Sequence, residues 1–269
     1  MAAILGASRQ KREEDGTMTY KMFRIALVIV LASFGLSSAA WAAKCSNASL
    51  SGTYGFLHDG TDSNGAPATA AVSQITFDST TGTFTVETTA SHDGMIATDH
   101  LTGTYAIASN CTGTGTPTGA IPFSIVVTST GFLALHLFSE GFAVQQGSPT
   151  CTNAGVEGRF GFETTGVFLA EAAAPAVAFI GELKLTVNPS GEGVISGRVA
   201  ASEDGAFLTY VPVTGSYRVG ADCRGRATIT PKGQSEMHFH FVVVDGGNEM
   251  LAVETDADTV VSGTLVKGN

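Results

Sequence analysis

Residues 151–162, Cys-Thr-Asn-Ala-Gly-Val-Glu-Gly-Arg-Phe-Gly-Phe, restate residues 45–56, Cys-Ser-Asn-Ala-Ser-Leu-Ser-Gly-Thr-Tyr-Gly-Phe, 106 positions later. Each copy sets a cysteine, an Asn two residues on, and then Gly-x-aromatic-Gly-Phe. That reads as a cross-linked anchor feeding an aromatic strand, with Gly52, Gly55, Gly158 and Gly161 where another backbone comes close. A second pair of boxes agrees: Gly103-Thr104-Tyr105-Ala106-Ile107 with Cys111-Thr112-Gly113, and Gly215-Ser216-Tyr217-Arg218-Val219 with Cys223-Arg224-Gly225, at an offset of 112. The growth of the offset by six predicts six extra residues in the second copy, expected around Ala172-Ala173-Ala174-Pro175. A duplicated chain is expected to fold as two like domains, residues 43–147 and 151–269. They meet near the turn-forming Gly147-Ser148-Pro149-Thr150, and each should be separable from the other.

Within each copy the side-chain period is two. Ser73, Ile75 and Phe77 alternate with Gln74, Thr76 and Asp78, and Phe179, Gly181, Leu183, Leu185 and Val187 alternate with Ile180, Glu182, Lys184 and Thr186. Short turns such as Ser79-Thr80-Thr81-Gly82, Asn188-Pro189-Ser190-Gly191 and Asp245-Gly246-Gly247-Asn248 punctuate these runs. The fold class is therefore all-β, with about eight short antiparallel strands per copy. Such a sheet leaves two bare edges unless it closes, so two tandem up-and-down β-barrels are expected, with a pair of open sandwiches as the alternative. An eight-stranded barrel is filled by its own side chains or holds one small ligand.

Ahead of the first copy, Lys21 and Arg24 precede an apolar run from Ile25 to Leu36, and Ala40-Trp41-Ala42 is a small-x-small cleavage site. Residues 1–42 are expected to be a signal peptide with an upstream extension, translation starting at Met18 or Met22. The run is shorter than the roughly 20 residues a spanning helix needs, so a membrane anchor is the weaker reading. Lys44 before Cys45 argues against lipid attachment. Without residues 1–42 the chain carries 9 basic and 21 acidic side chains, a net charge of −12, which disfavours nucleic acid and anionic lipid as partners. Periplasmic or extracellular residence makes the four cysteines, Cys45, Cys111, Cys151 and Cys223, candidates for disulfides rather than metal or redox chemistry. Of three possible pairings, Cys45–Cys111 with Cys151–Cys223 alone gives both copies the same bond.

Chemistry-bearing patterns are sparse. His238 and His240 share a strand face and could share a metal, but no companion ligand is evident. The loop Asp59–Gly65 resembles a calcium loop, yet alignment on Gly65 puts Gly60 and Ala71 where the end carboxylates belong. His92-Asp93 and Asp99-His100 are adjacent in sequence, a spacing that points them apart on a strand; His58 and His136 stand alone. No Gly-x-Ser-x-Gly elbow, phosphate loop or His-Glu-x-x-His motif occurs. The reading assigns no catalytic residue, no cofactor and no metal.

The succession Cys…Gly-x-Tyr-Gly-Phe, Thr-Phe-Asp, Gly-Thr-Tyr…Cys-Thr-Gly, and an apolar strand before Asp-Gly-Gly resembles a group of uncharacterised secreted bacterial proteins. Their barrels are similar to the calycin or allene-oxide-cyclase-like type, and the likeness covers nearly all of residues 45–269. It implies the fold and carries over no catalytic residue. Three roles stay open: a non-catalytic exported barrel protein holding a small apolar ligand, a structural or protein-interaction module of the cell envelope, and an isomerase or cyclase acting in a barrel lumen. A buried, unpartnered Glu or His facing inward would favour the last.

Overall fold

The computed structural model describes residues 44–61, 67–136, 139–169 and 174–268. The expected signal peptide lies outside the described residues. Among these residues sixteen strands alternate with tight turns. The first eight are β1 (Gly52–Thr61), β2 (Pro67–Asp78), β3 (Thr83–His92), β4 (Met95–Ile107), β5 (Thr112–Pro117), β6 (Phe123–Val127), β7 (Gly131–His136) and β8 (Ser139–Gln145). The second eight are β9 (Gly158–Phe168), β10 (Ala176–Val187), β11 (Gly193–Glu203), β12 (Ala206–Val219), β13 (Arg224–Pro231), β14 (Met237–Val244), β15 (Glu249–Glu254) and β16 (Thr259–Lys267). Every strand pairs antiparallel with its sequence neighbour, and β1 with β8 and β9 with β16 close the two sheets into barrels. Closure leaves no free edge, so the open-sandwich alternative is not realised. The alternation read from sequence is the inside–outside alternation of the walls: Ile75 and Phe77 face the first core, Phe179, Leu183 and Leu185 the second.

The repeated cysteine boxes plug one end of each barrel. Cys45 is joined to Cys111 and Cys151 to Cys223, with Cα atoms 4.9 and 4.8 Å apart. Two disulfides mark a protein of an oxidising, non-cytoplasmic compartment. After the first cysteine of each pair a short 3-10 turn, Asn47–Ser49 or Asn153–Val156, crosses the barrel end. The Asn of the motif fastens it: Asn47 Oδ1 accepts from the Ile107 N–H and Asn153 Oδ1 from the Val219 N–H, both at 2.8 Å. The repeated tyrosine fastens it again. Tyr105 Oη donates to the Leu50 carbonyl at 2.7 Å, and Tyr217 Oη to the Asn153 carbonyl at 2.9 Å. Burial pushes both phenols up to about 12. The second cysteine of each pair turns with positive φ, 68° at Cys111 and 63° at Cys223, so even the backbone conformation is duplicated.

Strand registers place the extra residues of the second copy. Tyr54 opposes Ile75 as Phe160 opposes Leu183, so two residues enter between the first two strands. Phe77 opposes Phe84 as Leu185 opposes Ile195, which puts three more in the Asn188–Glu192 turn. The sixth falls between β11 and β12, at the irregularity near Val199 and Ala201. The expected single insertion at Ala172–Pro175 is thus corrected: the extra residues are spread over three places, as two, three and one, and the walls keep their pairing.

The barrels pack directly on each other. Leu57, Ala70 and Val72 from β1 and β2 form a buried cluster with Val242, Val244, Leu251, Val253 and Val260 from β14, β15 and β16. Gly55 permits the approach, because a Cβ there would overlap Val244 Cγ1. Polar contacts ring the cluster. Ser262 Oγ donates to Asp59 at 2.6 Å, Gln146 Nε2 to the Val243 carbonyl at 3.1 Å, and the Asp258 N–H to the Gly94 carbonyl at 2.9 Å. Each Val or Leu so buried contributes about 1.5–3 kcal/mol relative to exposure.

Candidate functional site

The first lumen is filled at its plugged end by aromatic rings. Phe77 stands 4.8 Å from Tyr105, 5.5 Å from Phe132 and 5.7 Å from Tyr54 between centroids, all edge-on. The same strand face turns polar toward the other end. Ser73 and Thr88 hydroxyls lie 2.7 Å apart, Thr69 Oγ1 meets His92 Nδ1 at 3.0 Å, and His58 stacks on Phe56.

The second lumen is packed by Phe160, Leu183, Ile195, Tyr217, Phe241 and Met250. They leave a cavity of about 40 Å³ walled by apolar side chains together with Thr164 and Tyr217. Small-molecule sites run to roughly 300–1,000 Å³, so this space is a packing remainder by comparison.

Among the described residues, two buried side-chain polar atoms of the second barrel have no hydrogen-bond partner, Thr164 Oγ1 and Glu254 Oε2. Glu254 shares its strand face with Met250 and Ala252, which line the lumen, and is 2% exposed. Burial pushes its carboxyl up to about 8, and Asp256 adds to the shift through its charge and a side-chain hydrogen bond. At neutral pH this group therefore carries its proton, and it could act as an acid toward anything that reached it. Sequence reading left Glu254 out, although a lone acid in the lumen phase of Met250-Leu251-Ala252-Val253 was the available signal.

Between the barrels lies a cleft of about 410 Å³ lined by Arg218, Arg224, Arg226, His240, Glu87 and Thr89. Arg224 is ion-paired to both Glu87 and Asp222, and thereby ties β13 to β3. His240 Nδ1 shares a hydrogen bond with Thr89 at 3.0 Å, and burial, with Arg226 and Arg224 beside it, lowers its pKa. The repeat-equivalent residues are Ala106, Thr112, Thr114 and Ser124, so this basic seam belongs to the second copy alone. Three arginines within residues 218–226 of so acidic a chain were the signal missed in sequence.

The other sequence candidates are dispersed. His238 and His240 do share a face, but His238 takes Asp256 as partner at 2.7 Å while His240 turns into the seam. Among the described residues no group of three or more His, Cys, Asp or Glu is placed to hold a metal ion. Asp59 is engaged by Ser262, and most of the loop that follows it lies outside the described residues, as does the side chain of His136. His92 ends β3 while Asp93 enters the next turn with φ 49°. Asp99 and His100 lie on opposite faces of β4. Among the described residues no helix is long and apolar enough to cross a membrane.

No family model matches this chain, and no curated protein matches it in sequence. Among solved structures it is similar to a protein of unknown function of the DUF3598 family from Nostoc punctiforme. That match has 10% identity and a TM-score of 0.24, and covers 82% of this chain and 97% of that one.

Proposed function

We propose that the protein is an exported, non-catalytic module of the cell envelope or extracellular space, in which two packed calycin-like barrels serve as a rigid body that acts through its outer faces. The observation that carries this reading is the packing of the lumens: an aromatic cluster fills the plugged end of the first, and only about 40 Å³ is left in the second. The disulfide-fastened plugs fit the same role, since they stiffen the barrel ends and present no reactive group. A signal peptide at residues 1–42 accords with the two disulfides. Native mass spectrometry of protein purified from its host's periplasm or medium tests the reading. The expected mass is that of the disulfide-bonded chain alone; a retained small apolar molecule would instead support the ligand carrier.

A second reading rests on Glu254, whose protonated carboxyl at the lumen wall has one oxygen without a hydrogen-bond partner and is the kind of group a lumenal isomerase or cyclase would use. It requires substrate entry past a residue only 2% exposed. Saturation of Glu254→Gln and wild-type protein with small apolar carbonyl or epoxide substrates would separate the two: turnover by wild type alone supports the enzyme.

A further inference from the structure

We infer that the chain self-associates head to tail, the β6–β7 face of one copy's first barrel seating on the β9–β10–β16 face of another copy's second barrel. The inference names a partner for the interaction role proposed above and rests on that role.

The internal seam supplies the template. Its knobs are Val244 and Val242 on β14 and Leu251 on β15; its socket is Gly55 on β1, flanked by Val72 on β2 and Val144 on β8. Because the barrels are copies, each carries both faces, and the seam uses one face from each. The unused socket is on the second barrel. Registers put Gly161 in the place of Gly55, Ile180 in that of Val72, and Val266 in that of Val144. The unused knobs are on the first barrel, where Val126 takes the place of Val242 and Leu133 that of Leu251, while the exposed Thr128 takes that of Val244.

The exposures fit two faces awaiting each other. Ile180 is 49% exposed, Val266 51%, Val126 45% and Leu133 51%, while Val242 and Leu251, the knobs that found a socket, are at 2% and 0%. A Cβ at Gly161 would meet nothing nearer than the Val266 carbonyl oxygen at 4.0 Å, so the dimple that admits Val244 in the first barrel is empty in the second. That dimple opens into a surface concavity of about 740 Å³ in which Gly161, Ile180, Val266 and Tyr210 are bordered by Glu163, Glu182 and Arg198. Isolated exposed apolar residues need no account, but apolar residues at repeat positions that are buried in the sister copy do.

The free socket is also more polar than the used one, with Glu163 in the place of Leu57 and Thr264 in that of Phe142. The intermolecular contact is therefore weaker than the internal seam and reversible. Since it joins unlike faces, it does not close on a dimer: each added copy presents a fresh socket, giving open chains built on the barrel-to-barrel step already present inside one molecule.

Sedimentation of the full exported chain tests this. Wild type should gain mass continuously with concentration, up to about 1 mM. Leu133→Asp removes the knob face and Ile180→Asp the socket face; both residues are exposed, so both variants should keep the wild-type melting temperature. Each variant alone should stay monomeric, whereas their equimolar mixture should stop at a dimer, because one good knob meets one good socket. A wild type that stays monomeric throughout, a mixture that forms no dimer, or association untouched by either substitution overturns the inference. A monomer whose lumens are empty by native mass spectrometry would sink the head-to-tail contact and leave the non-catalytic reading standing.

Discussion

Glutamate 254 should make this protein lose stability as pH rises, in a window where most proteins are at their best. Its carboxyl has an ordinary value of 4.5 and is pushed up to about 8 in the folded chain, first by burial and then by Asp256. Below pH 4.5 both folded and unfolded states hold the proton, and the site is neutral to stability. Between about 4.5 and 8 the folded state keeps a proton that the unfolded state has released. Each pH unit in that window therefore costs about 1.4 kcal/mol, and the whole window about 5 kcal/mol. For a chain of this size that is roughly 10–20 °C in melting temperature. Glu254→Gln keeps the shape and removes the titration. The variant should match wild type near pH 4.5 and exceed it progressively to pH 8, after which the gap is constant. His240, held neutral by burial, contributes the opposite slope near its own titration, so the difference between the two proteins is the informative quantity. Thermal melts or urea titrations at pH 4.5, 6, 7 and 8.5 read it directly. Parallel curves for wild type and variant would refute the reasoning and put the carboxyl in contact with water.

Two further outcomes follow from the duplicated architecture. Peptide mapping without reduction should recover Cys45–Cys111 and Cys151–Cys223 and no cross-copy pair. Removing either bond, with 66 or 72 positions between its partners, should cost about 4 kcal/mol in the chain-entropy picture. Residues 151–269, expressed alone into an oxidising compartment, should melt cooperatively yet associate through the bared Val242, Val244 and Leu251 face; adding Val244→Asp should return a monomer, and failure to fold at all would defeat the separable-domain expectation.

The barrels were legible in sequence because their signals are local. Alternation such as Ile75 and Phe77 against Gln74 and Thr76 is enforced by the wall itself, and each cysteine box carries the residues that fasten its own plug. Even the role of the Asn two places after the first cysteine lies within one copy, since its partner is the Ile107 or Val219 N–H near the second cysteine. The seam was not legible. Gly55 and Gly161 are the same letter in the same motif, yet one receives Val244 and the other faces open space, a difference decided by which copy comes first. Glu254 was hidden for a different reason. It keeps the lumen phase of Met250 and Ala252, but it ends an apolar strand, where an acid ordinarily marks the turn to solvent.

The order of the strands along the chain has a consequence for how the molecule is made. The first barrel can close once residue 145 is available to pair with Tyr54, but the outer face of β1 and β2 stays uncovered until β14 and β15 have been synthesised. Throughout that interval Leu57, Ala70 and Val72 form an apolar patch on an otherwise finished barrel. Chains emerging side by side would offer one another these patches before their own second barrels could claim them. Crowded nascent chains thus face a kinetic contest between intramolecular capture and mispairing, and the time needed to make residues 146 to 253 sets its length.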